Sequence, residues 1–338
     1  MALTSQKSNS LKRNGTIDVV RIIASFMVVF CHVVLPGKAG VYSKAIARFA
    51  VPWFMMITGY YLYNDDEALV LRNVRKSFFS VIKLVVLATV LISIINSCIC
   101  VVRGQDMFSW FLDYWSKDNF IEFILFNRAV FLNSAMWYLF ALIYVLFLYL
   151  LILRIRFKYY NVLIIPLLVL NLLLVNLLAY PWYYVGNWLL TGVPFVLLGG
   201  LVHARIGQIK AKVKHRSFWH LAVLVGLALT IVEASFKPDC YVYVGTIVLA
   251  MGMLILSVTS RKEWNSRVEF FGRWFTPIIF IIHCSMRDLY SAFFHYPKGV
   301  ALYFMPAFIY IVSAVFAGIL IGIKSLMIYY ITEKKKAT

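Results

Sequence analysis

Residues 16–33 read TIDVVRIIASFMVVFCHV. Apart from Asp18, Arg21 and His32 the stretch is apolar or small, and it is long enough for an α-helix to cross hydrocarbon at about 1.5 Å per residue. A helix of this composition belongs in a bilayer, where an acid, a base and an imidazole each cost free energy. The stretch therefore raises two matters: how many such helices the chain holds, and why this one keeps three ionisable side chains.

The rest of the chain answers the first. Of its 338 residues 62% are hydrophobic, 17% aromatic and 14% charged, and the mean hydropathy is +0.83. No soluble domain of ordinary composition has that balance. Apolar runs bounded by Lys/Arg or Pro/Gly clusters predict helices near 17–36, 45–63, 77–101, 134–154, 160–180, 187–204, 217–236, 241–260, 274–294 and 301–331. The expected fold is all-α, a polytopic integral membrane protein with about ten transmembrane helices. It forms a single membrane domain over 17–331 between cytoplasmic tails 1–16 and 332–338. The leading segment MALTSQKSNSLKRNGT is polar and basic, and no small-residue cleavage site follows it, so the first helix is expected to be retained rather than removed as a signal peptide.

A formal charge of +19 would suit nucleic acid, but its distribution argues against that partner. Basic clusters recur at alternate connections: Lys7, Lys12 and Arg13; Arg72, Arg75 and Lys76; Arg154, Arg156 and Lys158; Arg205 to Arg216; Arg261 to Arg273; and Lys334 to Lys336. The opposite loops are poor in Lys and Arg. The positive-inside bias places both termini in the cytoplasm of a cell membrane, plasma or inner. The five cysteines fall mostly within apolar runs, and their spacing matches neither a metal site nor a disulfide framework, so no metal is expected. The segment 103–133, rich in Phe108, Trp110, Phe111, Tyr114 and Trp115, is too broken by charge to span. It reads as an interfacial helix or an outer lid, its aromatics more often anchors than a sugar-stacking platform.

Arg21 and His32 stand eleven residues apart, almost three whole turns, so they share a face about 16 Å apart along the axis. Asp18, three residues before Arg21, lies on that face and is placed to pair with it. His32 falls deep, toward the outer half of the membrane, where an ionisable side chain is a functional candidate. The bland readings are a snorkelling Arg21 and a His32 satisfied by a neighbouring helix. Arg72 and Arg75, in RNVR, are either topology anchors or a clamp for an anion such as phosphate. HCSMRD sets His283 and Arg287 one turn apart on one face, beside Asp288, as a possible secondary site. Arg48, Lys83, Glu233 and Lys324 read as snorkelling or structural.

A cytoplasmic arginine cluster, a file of about 16 Å and a histidine beyond it match an elongated donor whose phosphates stay inside while its reactive end reaches inward. Coenzyme A carrying a thioester has that shape. A buried, neutral imidazole suits a general base for a hydroxyl, and acyl transfer to an alcohol follows as a reaction class.

In the order TIDVVRIIASFMVVFCH (16–32), PWFMMITGYYL (52–62), RNVR (72–75), MWYLFALI (136–143) and IIFIIHCSM (278–286), the chain resembles the membrane acyltransferase-3 family over about residues 16–290. The resemblance implies O-acylation, most often O-acetylation, of cell-envelope or exported carbohydrate, with acetyl-CoA as donor. The implied partners are acyl-CoA, a carbohydrate acceptor and the lipid bilayer. By position it makes His32 the catalytic histidine, Arg21 its paired arginine, Asp18 the acidic residue ahead of it, and Arg72 with Arg75 the donor-handling pair. Cys31, beside His32, is the residue for a covalent intermediate, but adjacent helical positions project about 100° apart, which favours packing. The competing class is transport of a small amino acid or similar solute on the same membrane core, since an intramembrane Arg, His and Asp set also suits a substrate or proton path.

Overall fold

Asn14 opens the first helix. Its side chain accepts from the Thr16 amide at 3.1 Å, satisfying one of the amides a helix start leaves orphaned, and α1 then runs Gly15–His32. The computed structural model describes residues 14–337 except 115, 130–131, 153–159, 178–180, 213–216, 261 and 296. Trp115 and several of the basic loop residues, among them Arg154, Arg156, Lys158, Lys214, Arg216 and Arg261, lie outside the described residues, as does the tail before Asn14.

Two helices, α2 (Gly37–Ala47) and α3 (Ala50–Leu62), replace the single one expected over 45–63. The chain breaks before α2 at Pro36, which has no amide to donate, and α1 ends four residues earlier than expected. Helix α4 (Glu67–Val102) begins ten residues before its expected start. Asp66 explains the difference: its carboxylate accepts from the Ala68 amide at 2.9 Å and Glu67 stands in the first turn, both favourable at a helix N-terminus. RNVR is therefore helical, in the second and third turns of α4, and not a loop.

The segment after α4 folds into two short helices, α5 (Met107–Tyr114) and α6 (Lys117–Phe126). Next come α7 (Trp137–Ile152), α8 (Ile164–Leu177) and a single π-turn, Trp188–Gly192, running into α9 (Val193–Lys212). The chain closes with α10 (Ser217–Phe236), α11 (Val244–Thr259), α12 (Ser266–Phe293) and α13 (Met305–Ala337). Helix α12 starts eight residues before its expected position and carries Pro277 in its interior.

Among the described residues there is no strand, and five helical stretches are long and apolar enough to cross a membrane: Gly15–His32, Glu67–Val102, Trp188–Ala211, Ser217–Phe236 and Gly299–Tyr329. Shorter apolar helices at Trp137–Ile152, Tyr160–Val175 and Val244–Thr259 join them. Large apolar side chains lie exposed along α4 (Val86, Leu87, Val90), α10 (Leu224, Val232) and α13 (Ile311, Val315, Ile319). Such a surface suits lipid rather than water, and the chain is an all-α polytopic membrane protein.

Inside this ring, α12 packs on α1, α4 and α13, and α1 also touches α3 and α11. Close approach is made by glycine. A Cβ at Gly272 would collide with the Asp18 backbone, bringing α12 against the first turn of α1, and Gly59 and Gly199 meet the backbones of Val196 and Met56, so α3 and α9 cross at each other's glycines. Small residues at crossings are how helices gain van der Waals contact where lipid removes the hydrophobic drive.

Candidate active site at the end of α1

At its start α1 places Asp18 and Arg21 on one face, and their side chains meet at 2.8 Å with Asp18 almost wholly buried. Arg21 is thus paired with Asp18 and not with His32, which lies almost three turns away. Between them lies a file of rings. Tyr138, hydrogen-bonded to Thr58 and within electrostatic range of Arg21, leans edge-on to Phe280 at 5.0 Å between centroids, and Phe54 reaches both. Phe280 in turn faces His283 at 6.1 Å.

The far end of α1 is where chemistry gathers. The His32 ring lies 5.1 Å from that of His283, centroid to centroid. Its Nδ1 is 3.1 Å from Ser134 Oγ, and its backbone carbonyl accepts from Arg287 Nη1 at 2.9 Å. Arg287 thereby caps the C-terminus of α1, where orphan carbonyls and the helix dipole both favour a cation, while its Nε donates to Asp288 at 2.8 Å. His283, fully buried, sends Nδ1 to the carbonyls of Phe280 at 2.8 Å and Ile279 at 3.1 Å. Two acceptors there require Nδ1 to carry the proton, which leaves Nε2 with its lone pair, 3.4 Å from Cys284 Sγ. Cys284 also stands 3.5 Å from Ser134 Oγ.

The spacing of His283 and Arg287 puts both on the side of α12 that faces α1, so what looked like a secondary site is part of one cluster with His32. Ser134 comes from the connection before α7, whose flanking asparagines are hydrogen-bonded to other elements. Asn127, in the left-handed conformation at φ 50°, donates to the Trp137 carbonyl and accepts from the Trp188 amide, and Asn133 donates to the Ile281 carbonyl and Ser285. Nothing in the sequence around Ser134 announces this. His32, His283 and Cys284 present ligand atoms that all lie within 4.8 Å of one another, a set able to hold a metal ion. Cysteine spacing does not disclose it, because one ligand comes from α1 and two from α12.

Two cavities of about 400 and 430 Å³ lie at this end, within the range of small-molecule sites. Ser134, Trp137 and Trp182 line both. The first is bordered by Arg287, Asp288 and the segment expected to form a lid, including Trp110; the second holds His32, Cys31, Lys44 and Arg48. Arg48, read from sequence as snorkelling or structural, is thus a wall of the histidine cavity. Glu233 is structural: its carboxylate accepts from the amides of Val244 and Gly245 at 3.1 and 2.8 Å, capping α11. Lys324 lies over the Trp274 ring at 5.3 Å and Lys83 is exposed.

Arg72 and Arg75 sit on the exposed side of α4, at the end of the molecule opposite the His32 cluster, and neither makes a hydrogen bond or ion pair within the described residues. The arrangement is polar at both ends of α1 and aromatic between them. A family model described as an acyltransferase domain matches residues 14–324 of the chain. No curated protein and no solved structure matches it.

Proposed function

The chain belongs to the membrane acyltransferase-3 family, and from that premise we propose that it transfers an acetyl group from acetyl-CoA to a hydroxyl of a cell-envelope or exported carbohydrate. The observation that carries this reading is the His32 cluster opening on a cavity at one end of α1 while the Asp18–Arg21 pair stands at the other. The termini and the Arg72–Arg75 side face the cytoplasm, in keeping with the basic clusters on that side.

Arg72, Arg75 and Arg21 hold the phosphates of the donor, guanidinium forks being suited to them. The pantetheine arm follows the Thr58, Phe54, Tyr138 and Phe280 file toward His32. With Nδ1 donating to Ser134 Oγ, His32 carries its lone pair on Nε2 and removes the proton of the acceptor hydroxyl as its oxygen attacks the thioester carbonyl. The carbon–sulfur bond breaks, the leaving sulfur takes the proton from the imidazolium, and the products are the O-acyl ester and free coenzyme A. Arg287 holds the His32 backbone while this occurs. No acyl-enzyme on Cys31 is required.

The test is acetyl-CoA binding and free-thiol release by the purified protein in detergent. His32→Ala is expected to retain donor binding and to lose turnover by about 10²–10⁴-fold, the usual contribution of a general base. Arg72→Ala is expected to weaken donor binding. A folded wild type that neither binds acetyl-CoA nor releases thiol would remove the acyltransferase reading in favour of solute transport.

A further inference from the structure

The cavity that holds His32 carries a charge that the transfer chemistry leaves unused. Its cations are Lys44 and Arg48, at the last turn and C-cap of α2. Lys44 is committed: its ammonium contacts Asp239 at 2.5 Å. That hydrogen bond, helped by the charges of Lys44 and Arg48, holds the Asp239 carboxyl below the usual carboxylate range, so the acid is charged at neutral pH and bonds Lys44 while lying within electrostatic range of Arg48. Arg48 is not committed. Its guanidinium makes no hydrogen bond or ion pair within the described residues, and its Nε is buried without a partner. It lies over the face of Tyr241 at 5.2 Å, and Tyr241 stacks on Trp182 at 6.2 Å with planes 24° apart. A helix C-terminus favours a cation, which accounts for a basic residue here but not for a covered donor left empty, since buried polar groups are almost always satisfied.

We propose that Arg48, flanked by Tyr241, Trp182 and Trp137, is the recognition site for an anionic group on the acceptor, so that the substrate of His32 is a carbohydrate unit bearing a carboxylate or phosphate near the hydroxyl that is acylated. The inference rests on the acyltransferase reading for the identity of the occupant. Aromatic faces accept the apolar side of a sugar ring, and a guanidinium presents paired donors to either oxyacid. A neutral acceptor would leave the buried Arg48 Nε unpaired in the complex, which is how a polar site rejects ligands that lack the matching group. Asp239 opposes anion binding and limits it to ligands that reach Arg48 rather than Lys44.

The experiment measures binding without the donor, by the fluorescence of the purified full-length protein, whose Trp137 and Trp182 line the cavity. The probes are a glucuronate-containing oligosaccharide, a glycerol-phosphate oligomer and a neutral glucan oligosaccharide of equal length. At least one anionic probe is expected to bind tenfold or more tightly than the neutral one, with affinity falling as salt rises. Arg48→Gln should abolish the preference, Arg48→Lys should restore part of it, and Asp239→Asn should strengthen anion binding, a gain that a misfolded variant would not produce. The carboxylate and phosphate arms tell the two sources of charge apart. Equal binding of charged and neutral probes, or no binding of either anionic probe, overturns the proposal. So does an Arg48→Gln protein that loses acetyl-CoA binding instead, because the cation would then serve the donor. Thiol release with acetyl-CoA by wild type, measured in parallel, reports on the acyltransferase reading independently of these outcomes.

Discussion

Besides Cys284, which is within hydrogen-bond reach of the ring, His32 has three neighbours from outside its own helix. Ser134 touches the ring at Nδ1, Arg287 holds the carbonyl, and His283 stands beside the imidazole. Of these, Ser134 hydrogen-bonds the ring itself and so fixes the orientation of the imidazole. Ser134→Ala removes that partner without adding bulk. It is expected to lower kcat for thiol release by about 10–100-fold, the scale seen when a partner orienting a histidine is lost, while KM for acetyl-CoA stays near wild type. A fall in donor affinity in place of kcat would mean that Ser134 shapes the donor path rather than the base. At the other end of α1 the Asp18–Arg21 pair was legible from the i, i+3 spacing alone, because both residues belong to one helix and helical geometry puts them together.

At the scale of elements, the sequence pattern located most helices but misjudged where several begin. Hydropathy detects the apolar middle of a helix, whereas its polar ends are set by capping: Asp66 starts α4 and Asn265, accepting from the Arg267 amide at 2.9 Å, starts α12. Both extensions lie outside the apolar window, and both were present in the sequence as capping residues. The α3–α9 crossing supplies a paired prediction. Gly199 faces the Met56 backbone, and Gly207, on the same helix, meets nothing within 4 Å. Gly199→Ala is expected to destabilise the protein by about 1–3 kcal/mol through overpacking, whereas Gly207→Ala should be neutral or stabilising by up to about 1 kcal/mol, since alanine is the better helix former. Thermal unfolding in detergent measures both. Equal effects at the two positions would show that glycine serves the helix and not the crossing.

For the whole molecule, the polar machinery divides between two ends joined by α1 and the ring file beside it. The proposed orientation puts Arg72 and Arg75 at the cytoplasmic end and the two cavities at the outer one. Epitope tags at both termini should then be protected from protease in intact cells, and a cysteine introduced at exposed Lys38, near the start of α2, should react with a membrane-impermeant thiol reagent. Labelling at Lys38→Cys only after permeabilisation would invert the topology, turning the two cavities toward the cytoplasm and Arg72 with Arg75 away from a cytoplasmic acyl-CoA. Trp110 of α5 borders the first cavity, and Phe108, Phe111 and Leu112 on the same helix are exposed, a placement suited to the membrane interface.

What the sequence determined by itself follows from periodicity and composition. Runs of apolar residues long enough to span a bilayer, with basic residues at alternate connections, define an all-α membrane chain. The 3.6-residue turn alone puts Asp18, Arg21 and His32 on one stripe, and His283 with Arg287 on another. Which stripes meet is a different kind of fact. The approach of α12 to α1 depends on Gly272 fitting against the Asp18 backbone, more than 250 residues away in sequence. The insertion of Ser134 depends on buried asparagines that bind distant carbonyls. Arg48 became part of the histidine cavity only when the break between α2 and α3 turned it inward over Tyr241. Local patterns encode faces, and only tertiary packing, through long-range complementarity of shape and hydrogen bonding, decides which faces share a site.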